Sequence, residues 1–282
     1  MRIITGKENI RQNFPSILQD ESHYCCGVPE KVFFPESSSD LQFILKEANS
    51  SAVPVVFIGA QTGTTGGAVP TEDCVAVCFS SMNRINSIKW FGETPVLYCD
   101  PGVTLLSINQ FLQSPRSWPY HVDGVESIYD HRYMYPPDPT EYSAQLGGTV
   151  ATNASGARSF RFGSTRNFVS ALDIVMATGE KLEIFRGDII SDENFFKMTT
   201  DLDRTIQVPS PTFIMPQTKN ASGYFSKPSM DLIDLLIGSE GTLAAFSQIG
   251  IRLIPEIHII SGMSFFEDSD SAFDFADFLR QE

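Results

Sequence analysis

The sequence predicts a mixed α and β fold built in two parts, and three observations carry that reading. Residues 31–58 read as strand, amphipathic helix and strand, the opening of a small α/β layer. Further on, Ile85–Asp100 holds two short strands around Gly92-Glu93, and Lys181–Phe185 closes a hairpin with Ala171–Ala177. Between these pairs runs Gly147–Arg158, twelve residues with almost no bulky side chain. Such a stretch cannot form a core. It can let something large and flat lie against the backbone, because glycine removes the Cβ and frees positive φ. Taken alone it reads equally well as a long connection between strands, since Gly, Asn and Ser mark loops.

In chain order, residues 1–30 read as a polar, helical entry segment, with SILQDESHYCC its most structured part. Lys31–Pro35 is a short strand. Ser37–Ser39 supply an N-cap for a helix over Asp40–Asn49, where Leu41, Ile44, Leu45 and Ala48 are spaced for one buried face. Val53–Ile58, a buried strand, runs straight into Gly59–Pro70, GAQTGTTGGAVP. A strand entering a Gly/Thr-rich loop suggests a phosphate cradle made of backbone amides and hydroxyls. It is not the dinucleotide fingerprint, because Gln61 stands where a second glycine is required, and it lacks the Gly-Lys-Ser/Thr of a P-loop. Cys74–Phe79 is a third strand, and Ser80–Ile85 a turn.

Pro101-Gly102 turns the chain into a helix, Leu105–Leu112. Ser114–Tyr142, rich in prolines and aromatics, is an irregular connection long enough to serve as a binding loop. His121 within it could be a base, but an exposed loop histidine is the better reading. Asp201–Lys219 is a polar, proline-punctuated excursion. Asp231–Ile237 is apolar and leads into Gly238–Phe246, GSEGTLAAF, followed by a strand over Gln248–Ile254. A strand near Ile259–Phe266 and a helix over Ser271–Leu279, capped by Ser269, complete the chain.

Composition narrows the function. With 42% hydrophobic and 19% charged residues the chain is a soluble globular protein, and no apolar run approaches the roughly 20 residues that span a bilayer. The polar N-terminus carries neither a secretory signal nor an Arg-rich transit peptide, so a cytoplasmic location is expected. A formal charge of −14 argues against a nucleic-acid surface, yet it leaves room for an anion held by backbone N–H groups. Five cysteines, with Cys25 and Cys26 adjacent, read as thiols in a reducing compartment rather than as a disulfide framework. Cys74 and Cys78 lack a matching Cys/His pair, so no metal site is expected.

Three stretches, PVVFIGAQTGTTGGAVP, YPPDPTEYSAQLGGTVATNASGARSFRFGSTRNFVSALDIVMATGE and LLIGSEGTLAAFSQIGIRLIP, stand in an order that resembles the FAD-binding domain of the vanillyl-alcohol oxidase and p-cresol methylhydroxylase family. The likeness covers roughly residues 20–255 and is nearest to the branch of glycolate oxidase, D-lactate dehydrogenase and D-2-hydroxyglutarate dehydrogenase. It implies an α+β fold with two subdomains (about 20–95 and 96–255) in an FAD-binding domain of residues 1–255, followed over 256–282 by the first strand and helix of an incomplete cap domain. It also implies non-covalent FAD. Backbone of Gly59, Ala60, Gln61, Thr62, Gly63 and Thr64 would wrap the pyrophosphate. Pro137, Asp138, Gly147, Gly148, Asn153, Ser155, Gly156 and Arg158 would line the flavin ring and ribityl chain, and Ala245 and Phe246 would reach the pyrimidine side of the ring. The sequence departs from the family at Ile58, where arginine is common, at Gln61, where a small residue is common, and at Ala244, where glycine is common.

The activity implied is oxidation of a small 2-hydroxy acid, with hydride passing to the flavin and an external acceptor taking the electrons. A cap would hold the catalytic residues, and none of His23, His121, His131 and His258 sits on a motif that assigns one here. The same resemblance leaves two alternatives: an alkylglycerone-phosphate synthase relative, or a non-catalytic FAD-binding subunit completed by a partner chain.

Overall fold

The computed structural model describes all residues except 193, 222, 259, 261 and 282. The chain opens with β1 (Arg2–Thr5), α1 (Lys7–Asn13) and a short 3-10 turn at Pro15–Leu18. The expected helical entry segment is therefore corrected. Ile4 is buried while Ile3 is exposed, a period of two that fits a strand, and Ile4 lies opposite Val32. The SILQDESHYCC segment is largely irregular beyond Leu18, because Asp20 accepts from the Ser22 amide at 2.9 Å and so competes with helical hydrogen bonds.

The first sheet has the order β1-β2-β4-β3, with β2 (Lys31–Phe34), β3 (Val55–Ile58) and β4 (Val75–Cys78) parallel and β1 antiparallel at the edge. Helix α2 (Ser38–Ser50) begins where the Ser37 hydroxyl accepts from the Asp40 amide at 3.2 Å. Its expected apolar face is buried, and Leu41, Ile44 and Leu45 pack with Val77 and Phe79 of the first layer and with Val175 and Ala245 of the second. This wedge joins the two halves of the molecule.

The second sheet is antiparallel, in the order β5-β6-β12-β8-β9. It contains β5 (Ile85–Phe91), β6 (Thr94–Cys99), β8 (Val169–Val175), β9 (Lys181–Phe185) and β12 (Ala245–Arg252). The expected subdomain division at residue 95 falls inside β6, and β5 is hydrogen-bonded to β6, so both strands belong to the second sheet. The largest core lies on one face of this sheet, under α3 (Leu105–Gln113), α4 (Leu146–Ala151) and α6 (Leu232–Leu236), around Leu97, Ile108, Phe111, Leu146, Phe168, Leu172 and Ile249. A short bridge pairs β7 (Tyr133–Met134) with β13 (Ile254–Pro255), and α5 is a single turn over Ser159–Phe162.

Two further expectations change. The polar excursion contains β11 (Thr205–Pro209), paired with β10 (Phe195–Thr199), because alternation places Phe196 and Met198 inward. The expected strand at Ile259–Phe266 is absent among the described residues, although Ile259 and Ser261 lie outside them. Ile260 and Phe265 are each 86% exposed, and a strand without a partner does not form. Helix α7 (Ser269–Gln281) starts two residues early, since the Asp268 carboxylate, not the Ser269 side chain, accepts from the Ser271 amide at 2.8 Å. Among the described residues no helix is long and apolar enough to cross a membrane.

One half-buried charge in the second sheet gives a pH signature. Asp173 on β8 lies directly opposite Glu183 on β9. Burial first, and Glu183 second, push its carboxyl up to about 6 against the opposing pull of Lys89 and Lys181. A carboxyl raised above its unfolded value opposes folding when ionised, so this penalty is complete above about pH 6 and fades as pH falls toward about 4. Asp173→Asn should therefore raise stability at neutral pH by roughly 1 kcal/mol, after allowance for solvent screening, and by little near pH 4. Thermal melts of both proteins across that range measure the difference, and a pH-independent offset would contradict the assignment.

Candidate functional site

At the junction of the two sheets lies a cavity of about 250 Å³. Its walls come from the loop after β3, from Pro101, from the start of α4 and from the loop into β12. Nine of the residues expected from sequence line it: Gly59, Ala60, Gln61, Thr62, Gly63, Gly147, Gly148, Ala245 and Phe246. Three stretches far apart in the chain therefore meet at one place.

The two glycines of α4 differ in role. A Cβ on Gly147 would stand 2.8 Å from the Pro101 Cβ, so this glycine allows α4 to pack on the turn after β6. A Cβ on Gly148 would meet nothing within 4 Å, and the same holds at Gly63. Those two positions present bare backbone to open space. In the cradle loop, the amides of Ala60, Thr62, Gly63 and Thr64 have no hydrogen-bond acceptor among the described residues. Consecutive unpaired N–H groups of this kind suit an anion.

The loop is held by the segment before β2. Gln61 takes a left-handed backbone (φ 57°), and its side-chain amide donates to the carbonyls of Gln19 at 2.7 Å and Ile17 at 3.1 Å. The Glu21 amide donates back to the Gln61 carbonyl at 3.2 Å. Asp20, 6% exposed, accepts from the Gly66 amide at 2.8 Å. Burial would raise the Asp20 carboxyl, but the Ser22 hydroxyl and the amides of Ser22 and Gly66 outweigh it and hold it below the usual carboxylate range. Residues 17–28 thus form a clasp over the cradle. Asp20 and Gln145 line the cavity, and neither was expected from sequence. The Gln145 carbonyl oxygen Oε1 is buried without a partner, a state that costs about 1–3 kcal/mol unless a donor meets it. Nothing in the local sequence marks either residue, because both act through contacts with distant loops.

The remaining expected residues stand off the wall. Thr64 lies on the exposed part of the cradle loop. Pro137 and Asp138 run beside Gly156–Arg158: the Ala157 amide donates to the Asp138 carbonyl at 3.0 Å, and the Arg158 guanidinium pairs with the Asp138 carboxylate at 3.4 Å. A Cβ on Gly156 would stand 1.9 Å from that carbonyl, so glycine is needed for the two segments to meet. Their neighbours Pro139 and Ala154 reach the cavity instead. Ser155 shares the half-buried turn between them. Asn153, left-handed at φ 48°, accepts on Oδ1 from the Arg166 amide at 3.0 Å. Ala245 and Phe246 belong to β12 rather than to the loop, opposite Val175 and Ile174. None of the four histidines lines the cavity; His121 pairs with Asp123 at 2.7 Å, and both are exposed.

A family model described as an FAD binding domain matches residues 29–127 and 122–184. D-lactate dehydrogenase of Archaeoglobus fulgidus is 31% identical over 79% of this chain and 38% of its own length. D-2-hydroxyglutarate dehydrogenase of Stutzerimonas stutzeri is 30% identical over 83% of this chain and 39% of its own. A glycolate oxidase subunit of Bacillus subtilis is 26% identical over 90% of this chain and 43% of its own. The chain spans about two fifths of the length of these relatives. Among solved structures, an alkyldihydroxyacetonephosphate synthase has the same fold, with a TM-score of 0.55 at 16% identity over 81% of this chain and 35% of that one. The match takes in β2, β3 and β4 of the first sheet, the cradle loop and α4, and by it the chain belongs to the FAD-binding-domain family.

Proposed function

We propose that this chain holds FAD without a covalent link and forms the cofactor-binding part of an oxidoreductase acting on a small 2-hydroxy acid. The observation that carries the reading is the convergence of bare backbone at Gly63 and Gly148 with the unpaired amides of Ala60, Thr62 and Gly63 on one cavity. The amides would bind the anionic pyrophosphate, which needs no basic side chain and so suits a chain of charge −14. Gly147 and Gly148 would admit the planar ring edge to the α4 backbone, and Ala245 and Phe246 would close the other side. Gln145 would accept a hydrogen bond from a ligand hydroxyl or N–H. Pro137, Asp138, Asn153, Ser155, Gly156 and Arg158 would act at one remove, by fixing the wall on which Pro139 and Ala154 stand.

When bound, FAD supplies a two-electron acceptor for hydride removed from a C–H bond next to a hydroxyl. D-lactate, D-2-hydroxyglutarate and glycolate are the substrates suggested by the names of the relatives. An external electron acceptor completes turnover. The base that removes the hydroxyl proton would lie outside residues 1–255, in a cap that begins after Pro255. Supporting this division, Phe273, Phe278 and Leu279 of α7 are more than half exposed, an apolar face with no cover among the described residues.

Purified protein should show the two-band visible spectrum of flavin, and acid precipitation should release the colour into the supernatant. Colourless protein that leaves added FAD unbound would overturn the proposal, and colour kept in the pellet would overturn the non-covalent part. Gly148→Leu should keep α4, because leucine favours helix over glycine, while its side chain enters the cavity and weakens FAD binding by about tenfold or more. Circular dichroism and a flavin fluorescence titration separate the two effects. Mixed without oxygen and with the cap domain supplied, the FAD-loaded protein should be bleached by D-lactate, D-2-hydroxyglutarate or glycolate. Bleaching by none of them with the cap in place would remove the hydroxy-acid assignment and leave the cofactor assignment standing.

A further inference from the structure

The clasp over the cradle carries a chemical feature that cofactor binding leaves unexplained. Cys25 and Cys26 are adjacent and both exposed, whereas Cys74, Cys78 and Cys99 are buried. Burial pushes the thiols of Cys74 and Cys99 up, which leaves them inert at neutral pH. Accessible thiol chemistry is thus confined to one dipeptide. That dipeptide sits between two anchors. On one side, Asp20 holds the Gly66 amide at 2.8 Å and the Tyr24 ring lies 3.5 Å from the Cβ position of Gly66. On the other, the Val28 amide donates to Glu72 at 3.3 Å, and Gly27 is pressed so close to the Glu72 backbone that a Cβ would stand 2.3 Å from its nitrogen. The Tyr24 amide also donates to the Ser22 hydroxyl at 3.1 Å, and that hydroxyl donates to Asp20.

We infer that Cys25-Cys26 is a reversible oxidation site, closed by a low-molecular-weight disulfide, that loosens the clasp and releases the cofactor cradle. The inference rests on the reading of the Gly59–Thr64 loop as that cradle. In the reaction, the Cys25 thiol loses its proton and its sulfur attacks one sulfur of the disulfide RSSR, expelling a first thiolate. The Cys26 sulfur, likewise deprotonated, then attacks the Cys25 sulfur of this mixed disulfide and expels the second. One cysteine S–S bond forms, one external S–S bond breaks, two electrons pass from the cysteines to RSSR, and the two protons leave on two RSH molecules.

Ring closure between neighbours must move the backbone. Adjacent Cα atoms stand about 3.8 Å apart across a trans peptide, and an ordinary disulfide joins Cα atoms about 4.4–6.8 Å apart. The peptide between Cys25 and Cys26 therefore has to twist, and both of its flanks are fixed. Tyr24 then shifts on Gly66 and on the Ser22 hydroxyl, which strains the Asp20–Gly66 bond next to the unpaired amides. A strained disulfide is also easily reduced, so the change reverses when thiols are restored.

The test treats the 282-residue chain, and the Cys25→Ser/Cys26→Ser double variant, with oxidised glutathione in excess. Intact mass, amide hydrogen exchange over residues 59–67, and an FAD titration are read before and after, then again with reductant. The expected result is a mass lower by two hydrogens with no glutathione retained, faster exchange over 59–67, and FAD affinity weaker by about tenfold, as for loss of one hydrogen bond to a charged group. All three should revert with reductant, and the double variant should show none of them. Retained glutathione, disulfide-linked dimers, or a closed ring with unchanged exchange over 59–67 would overturn the inference. If ring closure alters exchange but the reduced protein takes up no FAD, it is the cofactor reading that fails.

Discussion

The geometry of the cavity depends on the guanidinium of Arg166. It donates to the carbonyls of Asp234 and Ile237, the latter at 2.7 Å, and lies 4.4 Å from the centre of the Phe225 ring. Its own amide donates to Asn153. One residue, its side chain 13% exposed, thus ties the end of α4 through its amide to the turn at Gly238 through its guanidinium. Asp234 balances the charge, at 3.5 Å from Arg166 and 3.0 Å from Arg186, and is itself 4% exposed. Burial lowers the Arg166 pKa, and Asp234 works against that shift. Removing Asp234 would leave the buried Arg166 charge uncompensated, which is far more damaging than the modest worth of the intact pair, whereas Asp234 without Arg166 would still face Arg186 and Lys227.

Around that tie, the division of labour between backbone and side chain is consistent. Side chains build the seam: α2 is wedged between the sheets by Leu41, Ile44 and Leu45, and Gln42 donates to the Gly179 carbonyl at 2.9 Å across it. Backbone builds the cavity. Glycines appear on its walls for opposite reasons, at Gly147 because Pro101 is too near and at Gly148 because the space beside it must stay open. Two of the side chains that reach the cavity, Asp20 and Gln61, hold the loop.

How much of this was legible in the sequence follows from the range of the forces involved. Helix α2 was readable to within two residues because its cap and its apolar face are local and periodic. The loops at 59–64 and 147–148 were readable because bare backbone leaves a compositional trace. Asp138 and Arg158 were found as neighbours of the site but not as partners of each other, since their pairing spans a connection with no periodic signal. Asp20 and Gln145 were invisible for the same reason. The N-terminal strand was lost because four residues with one buried isoleucine give too short a pattern to separate from helix. The run near Ile259–Phe266 was misread in the other direction, since apolar composition alone cannot form a strand without a neighbour.

The position of β12 has a consequence for how the molecule comes into being. It lies between β6 and β8 in space, yet residues 245–252 follow β6 by well over a hundred positions in the chain. During synthesis β5, β6, β8 and β9 must wait as two separated ribbons with unpaired inner edges until the strand that fills the gap leaves the ribosome. Pairings between such distant segments are slow to find, and open edges are exposed to wrong partners meanwhile. The same strand supplies Ala245 and Phe246, so the cavity is completed only in the step that closes the sheet. A nascent chain can therefore grip no ligand there before its own architecture is finished.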